Sequence, residues 1–362
     1  MKDGFWNGKT VLVTGHTGFK GSWLSIWLIM MGANVIGYAL DPYTSEDNFV
    51  LCELSKKMTD IRGDIRHLEK LSQVFMDYRP EIVFHLAAQP IVSLSYEIPR
   101  ETYEVNVMGT VNVLECIRKS ETVRTAVIIT TDKCYENKEC LRGYVETDPF
   151  GGYDPYSSSK ACDEILISSW RNSFFNPMHY EKHGKALASV RAGNVIGGGD
   201  WSKDRLLPDC IRAIEAGETI QLRNSNSIRP WQHVLEPLSG YLMLAEHLSV
   251  DPVKYATGYN MGPGEDSNWN VRDVALRVTQ TYGYGSLEED TKENAPHEAG
   301  LLTLNIQKAE RELNWYPKLT ASEAVDWTVE WYSRRKKENV YNICVEQIVR
   351  YGNIPNNYKS SI

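Results

Sequence analysis

The stretch Val11-Leu-Val-Thr-Gly15-His-Thr-Gly18-Phe-Lys-Gly21 constrains this chain more than any other. An apolar, β-branched run from Thr10 to Thr14 ends at the first glycine, and a helical pattern from Phe19 to Met31 begins inside the loop. Three glycines at this spacing allow a tight turn, close approach of backbone to a pyrophosphate, and close packing of helix on strand. The phosphates then sit at the positive end of the helix. Gly15, Thr17, Gly18, Phe19, Lys20 and Gly21 are therefore candidate cofactor residues. A second strand, Asn34 to Ala39, is followed by Asp41, 20 residues beyond Gly21. An acid there hydrogen-bonds ribose hydroxyls and repels a 2′-phosphate, which favours NAD over NADP.

The same alternation continues downstream. Arg66–Tyr78 reads as an amphipathic helix stopped by Pro80, Glu81–Leu86 as a strand, Tyr103–Lys119 as a helix and Thr125–Thr130 as a strand, and the pattern runs on to Leu187–Arg191. Continuous apolar strands separated by helices predict an α/β protein with a Rossmann-type, doubly wound parallel sheet. Gly63-Asp64-Ile65 closes one strand, where Asp64 and Ile65 either flank an adenine or pack. Leu86-Ala87-Ala88 ends another with small residues, which either let a flat cofactor lie on the backbone or pack plainly.

After Gly193 the alternation loosens. The length of 362 residues accommodates a second unit. We expect an NAD-binding domain over 1–193, a smaller C-terminal α/β substrate lobe over 194–345 with some chain crossing back, and a tail over 346–362. Hydrophobic residues at 42% and charged residues at 24% support a packed core and exclude disorder. The net charge of -8, with Lys and Arg scattered, argues against a nucleic-acid partner. The seven cysteines contain no CxxC, so neither a disulfide framework nor a metal site is expected. Neither a signal peptide nor a membrane span is expected, and a reducing cytoplasm is the simplest compartment.

Thr130-Thr131-Asp132-Lys133 places an acid beside a base at a strand exit, and Tyr156-Ser-Ser-Ser-Lys160 follows 25 residues after Thr131. On a helix, i and i+4 share a face. A lysine cation one turn from a phenol stabilises the phenolate and lowers its pKa, and the tuned Tyr156 can take a proton from a sugar hydroxyl. A diphosphate needs cations that do not titrate, and Arg205 and Arg229 stand in loop-like contexts where a guanidinium fork suits phosphate oxygens. Trp201 and Trp231 either wall a nucleotide or fill the lobe core.

The glycine loop, Asp64, Leu86-Ala-Ala88, Asn106, Thr131 and Tyr156-x-x-x-Lys160 together resemble the extended short-chain dehydrogenase/reductase family, from about Trp6 to Trp331. An acid directly after the strand-end threonine is similar to its nucleotide-sugar 4,6-dehydratases. GHTGFKGSWL, TDKCYEN, GGYDPYSSSK, SVRAGNVIGGGDW and SIRPWQHVLEP look like the branch that acts on CDP-glucose. The resemblance implies a lyase cycle on NAD: oxidation at C4, loss of water across C5 and C6, and hydride return to C6, giving a 4-keto-6-deoxy sugar nucleotide for surface polysaccharide. It implies that Tyr156 takes the 4-hydroxyl proton, that Thr131 holds the 4-oxygen and that Asp132 protonates the departing 6-hydroxyl. It also implies that Asn106 belongs to the cofactor site, that Asn194 and Arg229 contact the diphosphate, that Leu206 to Pro208 frame the base, and that His297 contacts the nucleotide.

Two positions depart from the family pattern. Relatives carry Glu where this chain has Lys133, so Lys133 is either the C5 base, a cation stabilising the enolate, or a surface residue paired with Glu136. Lys20 replaces an apolar residue and either reaches a phosphate or lies on the exposed side of the helix. A 4-epimerase of the same family is the alternative activity; it needs Tyr156 and Lys160 but no acid at position 132. A homodimer or homotetramer through the helices Tyr103–Lys119 and Tyr156–Asn172 is also implied by the resemblance.

Overall fold

The computed structural model describes residues 4–222, 224–264, 267–289 and 302–355. Seven strands form one sheet: β1 (Thr10–Thr14), β2 (Asn34–Ala39), β3 (Thr59–Arg62), β4 (Ile82–His85), β5 (Thr125–Thr130), β6 (Ala186–Arg191) and β7 (Gly258–Asn260). Their spatial order is β7-β6-β5-β4-β1-β2-β3, and every pairing is parallel. The order reverses between β1 and β4, where Thr14 stands opposite His85. Ligands of doubly wound sheets bind in the crevice beyond the strand ends at such a reversal.

Side chains of a strand alternate between faces. Val11 and Val13 enter one hydrophobic cluster and Leu12 the other. The second cluster is closed by helices Leu68–Tyr78 and Gly109–Lys119. The first is closed by α1 (Phe19–Met30) and by C-terminal segments, among them the helices Leu235–Val250 and Val340–Asn353. β7 pairs with β6, and Ile348 and Tyr351 on the final helix are buried in the same cluster as Val11 and Val13. Residues expected as a tail from 346 are helical to Asn353.

The helix expected over Tyr103–Lys119 starts earlier, at Pro99, whose fixed φ and missing N–H suit a first helical position. It carries one π turn over Glu104–Met108 before continuing as Gly109–Lys119. Single π turns occur often at functional sites, and this one contains the fully buried Asn106. Among the described residues, no helix is long and apolar enough to cross a membrane, and no group of three or more His, Cys, Asp or Glu is arranged to hold a metal ion.

Candidate active site

The glycine loop is built so that no side chain fits under a ligand. Gly15 has φ +75°, and a Cβ there would lie 2.7 Å from the Ala87 nitrogen. A Cβ on Gly21 would lie 2.1 Å from the Gly15 oxygen. The Thr17 hydroxyl donates to the Leu40 carbonyl, which ties the loop to the end of β2. Gly18 precedes the first turn of α1, Phe19 is half-buried, and Asp41 is exposed at the far edge with Arg62 3.7 Å away. The opposing wall is Leu86-Ala87-Ala88, whose first two N–H groups donate to Thr14. This crevice of small residues, opening at a helix N-terminus with an acid at its edge, fits an NAD molecule.

Three residues proposed for this site have other employment. The Ile65 side chain is core, and Gly109 lies against it so closely that a Cβ would come within 2.4 Å. The Asp64 carboxylate is engaged by Arg66 at 2.6 Å, and that guanidinium with the Arg66 N–H holds it below the usual carboxylate range against the opposing effect of burial. The Asn106 amide accepts from the Gln89 N–H at 2.8 Å and donates to the Gln89 carbonyl and to Ser159 Oγ. Asn106 therefore ties the segment after β4 to the helix carrying Tyr156.

That helix, Pro155–Ser173, is capped by Asp154, whose carboxylate accepts from the Ser157 N–H, and Pro155 occupies its first position. It presents Tyr156 and Lys160, both buried, towards the end of β5. Burial dominates at Tyr156 and raises its phenol above the ordinary value, while Lys160 and the Thr131 hydroxyl pull it down. The lowering expected from Lys160 alone is thus outweighed by desolvation. On the same helix, Lys160 Nζ is 2.9 Å from Asp163 Oδ2, a buried ion pair that the sequence reading missed. The i, i+3 spacing on an apolar face was the signal available.

Thr131 caps the turn that follows β5, accepting from the Lys133 N–H and donating to Asp132 Oδ1 at 2.9 Å. Asp132 is buried, its Oδ2 has no hydrogen-bond partner among the described residues, and a Cβ on Gly193 would lie 1.8 Å from that oxygen. A buried carboxylate oxygen without a donor is costly and signals a functional group. Lys133 is half-buried, and Glu136 pairs with Lys138 at 3.1 Å rather than with Lys133.

Lys20 is not on the exposed side of α1. It is half-buried, its influential charges are Arg205, Lys160, Asp132 and Asp200, and its ammonium is pushed down to about 8, first by burial and then by Arg205 and Lys160. Lys20 thus stands where the cofactor crevice meets the opposite wall.

The opposite wall comes from residues that follow Gly193. Arg205 precedes the helix Leu206–Ala216 and pairs at 3.1 Å with the buried Asp200, a partner the sequence reading did not identify. Leu206 opens that helix and Pro208 is buried within it. Asn194 adopts φ +49°, and its carbonyl accepts from the Gln232 N–H. Arg229 lies in a short strand opposite Trp269. Trp231 lies in the large hydrophobic cluster and donates to the Trp269 carbonyl, while Trp201 packs edge-on against Tyr332 under Arg335. Both tryptophans therefore serve the packing of that cluster. His297 falls outside the described residues.

The family model described as GDP-mannose 4,6 dehydratase matches residues 12–328. The CDP-glucose 4,6-dehydratase of Salmonella typhimurium is 51% identical over 328 residues, covering 91% of each chain. A dTDP-glucose 4,6-dehydratase of Xanthomonas campestris is 25% identical, over 89% of this chain and 93% of its own. Among solved structures, the dTDP-glucose 4,6-dehydratase of Bacillus anthracis in complex with NAD superposes with a TM-score of 0.73 at 21% identity, over 91% of this chain and 98% of that one. An epimerase of Methanothermobacter thermautotrophicus reaches 0.78 at 23% identity, over 92% and 95%. By the extent of the match to the family model and the identity to the Salmonella enzyme, the chain belongs to the GDP-mannose 4,6-dehydratase family of extended short-chain dehydrogenases/reductases.

Proposed function

We propose that this chain is a hydro-lyase that dehydrates CDP-glucose to CDP-4-keto-6-deoxyglucose. The observation that carries the reading is Asp132: a buried carboxylate with one unpartnered oxygen, directly after Thr131 and facing Tyr156. An epimerase has no use for an acid there. The 51% identity to a CDP-glucose 4,6-dehydratase supports the cytidine nucleotide. The glycine crevice at Gly15, Gly18 and Gly21 would hold NAD, which would supply reversible hydride transfer between C4 and C6 of the sugar. Tyr156 takes the 4-hydroxyl proton and Thr131 holds the 4-oxygen. Asp132 delivers a proton to the departing 6-hydroxyl. Lys133 removes the C5 proton that the 4-ketone has acidified and returns a proton to C5 when hydride is added at C6; its freedom from Glu136 supports that role. Arg205, Arg229 and Asn194 hold the diphosphate, and Lys20 reaches a phosphate from the cofactor side.

The product suits deoxysugar synthesis for surface polysaccharide in the cytoplasm. Tyr103, Met108 and Ile165, exposed along the segment Pro99–Lys119 and the helix Pro155–Ser173, support self-association as a dimer or tetramer. Incubation with CDP-glucose and NAD followed by mass spectrometry tests the reading. Loss of one water without net NADH supports it. An isobaric product replaces it with a 4-epimerase.

A further inference from the structure

Two neighbouring acids on the helix Pro155–Ser173 enter buried ion pairs of different kinds. Glu164 is saturated: it accepts from Thr130 Oγ1 at 2.5 Å, Ser189 Oγ at 2.8 Å and Arg191 at 2.8 Å. That network spans β5, β6 and the helix, and it reads as a brace. Asp163 is not saturated. Its Oδ2 meets Lys160 Nζ at 2.9 Å, its Oδ1 has no hydrogen-bond partner among the described residues, and the two side chains are 0% and 4% exposed. Asp163 lies at i+3 from Lys160 and i+7 from Tyr156, so all three share one helix face.

We propose that Asp163 is a positioning residue: it holds the buried Lys160 ammonium charged and in place, and so sets the pH at which the Tyr156–Lys160 pair becomes competent. The proposal rests on the dehydratase reading, in which Tyr156 is the base at C4. Burial alone favours a neutral amine at position 160, and the nearby carboxylate opposes it. The direction agrees: Lys160 is held above the ordinary lysine value, with burial opposing and Asp163 the largest favourable influence. Asp163 itself is pushed up to about 6 by burial, with Lys160 pulling it down.

The other groups facing this cluster are Glu164 on the same helix, the Thr110 and Thr131 hydroxyls, the buried His85 on β4, the buried Tyr241 phenol on the helix Leu235–Val250, Asp132, Arg205 and Lys20. His85 is lowered to about 3 by burial and then by Lys160, so it is neutral across the working range. With His85 silent, Asp163, Lys160, Tyr156 and Lys20 remain to shape the low-pH limb.

Removing the Asp163 charge has two consequences. One negative charge leaves a buried cluster, so the proton that must depart to form phenolate is lost more easily, and the apparent pKa of the pair falls. The amine is also no longer held protonated, so a smaller share of molecules carries ammonium and phenolate together. For Asp163→Asn, the low-pH limb of kcat/KM for CDP-glucose should move down by about one pH unit or more, and the plateau should fall roughly 10- to 100-fold. Asp163→Glu should restore the limb towards its original position.

A limb that stays in place in a folded Asp163→Asn enzyme, with only the plateau or the melting temperature changed, overturns the proposal and leaves Asp163 a brace like Glu164. If Asp163→Asn does not fold, Lys160→Met is compared with Lys160→Met/Asp163→Asn, in which neither position is charged. Equal rates within about twofold support action through Lys160, because double-mutant effects vanish when one residue works only through the other. A further tenfold loss refutes it. Product mass separates the two readings: a wild-type enzyme that removes no water defeats the dehydratase assignment, whereas a dehydrating enzyme with an unmoved limb defeats only the role of Asp163.

Discussion

The two walls of the cleft are made in opposite ways. The cofactor wall is backbone brought too close for side chains: Gly15 lies against Ala87, Gly21 against Gly15, and Gly193 against Asp132. The wall built after Gly193 is held by side-chain contacts, most of them across long sequence separations. Arg205 pairs with Asp200, Ser93 donates to Asp204 at 2.8 Å, Trp23 Nε1 donates to the Gly198 carbonyl, and Tyr332 donates to the Asp200 carbonyl. The first wall therefore fails when an atom is added, and the second weakens by degrees when a contact is deleted.

The largest effect is expected from one methyl on the first wall. Gly21→Ala puts a Cβ 2.1 Å from the Gly15 oxygen, and backbone on both sides blocks relaxation. NAD affinity, followed by quenching of tryptophan fluorescence, should fall at least ~100-fold, about 2.7 kcal/mol, with overpacking costing about 1–3 kcal/mol of stability. Affinity within about threefold of wild type would mean that the crevice is not the NAD site.

Asp132→Asn adds no bulk to this wall and removes only the proton donor. The 6-hydroxyl should leave about 10²- to 10⁴-fold more slowly, the usual worth of general acid catalysis. Oxidation at C4 continues, so NADH should accumulate in a single turnover and be seen by absorbance. Unchanged turnover would remove Asp132 from the chemistry.

The contrast also explains what could be read in advance. The cofactor wall follows local rules: β-branched runs for strands, glycines where backbone must meet backbone, an acid after β2, and Tyr156 and Lys160 one turn apart. All of these stand in one short window each. Asp200 could not be linked to Arg205 in that way, because the pair is made by a loop whose path depends on Tyr332, 132 residues away. Asp163 was close to its partner and still overlooked, since an acid three residues from a lysine on a helix resembles an ordinary solvated pair until the helix is known to be buried. Ile65 and Asn106 carry a different lesson. Their positions fit the family pattern, yet Ile65 packs in the core and the Asn106 side chain is consumed by Gln89 and Ser159. Location in a motif marks a place near the site and leaves open whether the side chain touches ligand.

On the lobe wall, Asp200→Asn should act through Arg205. Without its buried anion, the guanidinium is free to swing away from the diphosphate position. KM for CDP-glucose should rise about tenfold with kcat within about twofold, the signature of lost uniform binding. A fall in kcat at constant KM would show that this pair serves the chemical step instead.

The smallest expected effect lies where the C-terminal segment crosses back, remote from both walls. Glu236 is fully buried, accepts from the Lys318 and Leu319 N–H groups and from the Tyr351 hydroxyl, and is pushed up to about 7 by burial, with those donors opposing. A carboxyl whose folded value is raised favours the fold in its protonated form. Its contribution is complete below the ordinary value of 4.5 and is lost as pH climbs through about 7. The melting temperature should therefore decline between about pH 5 and pH 8. Glu236→Gln keeps an acceptor for both N–H groups and has nothing to titrate, so the decline should flatten by a few degrees while turnover stays as in wild type. If the slope of melting temperature against pH is the same in both proteins, the pH sensitivity belongs to another group. If turnover drops as well, the docked C-terminal helix supports the cleft, and the walls are less independent of it than their construction indicates.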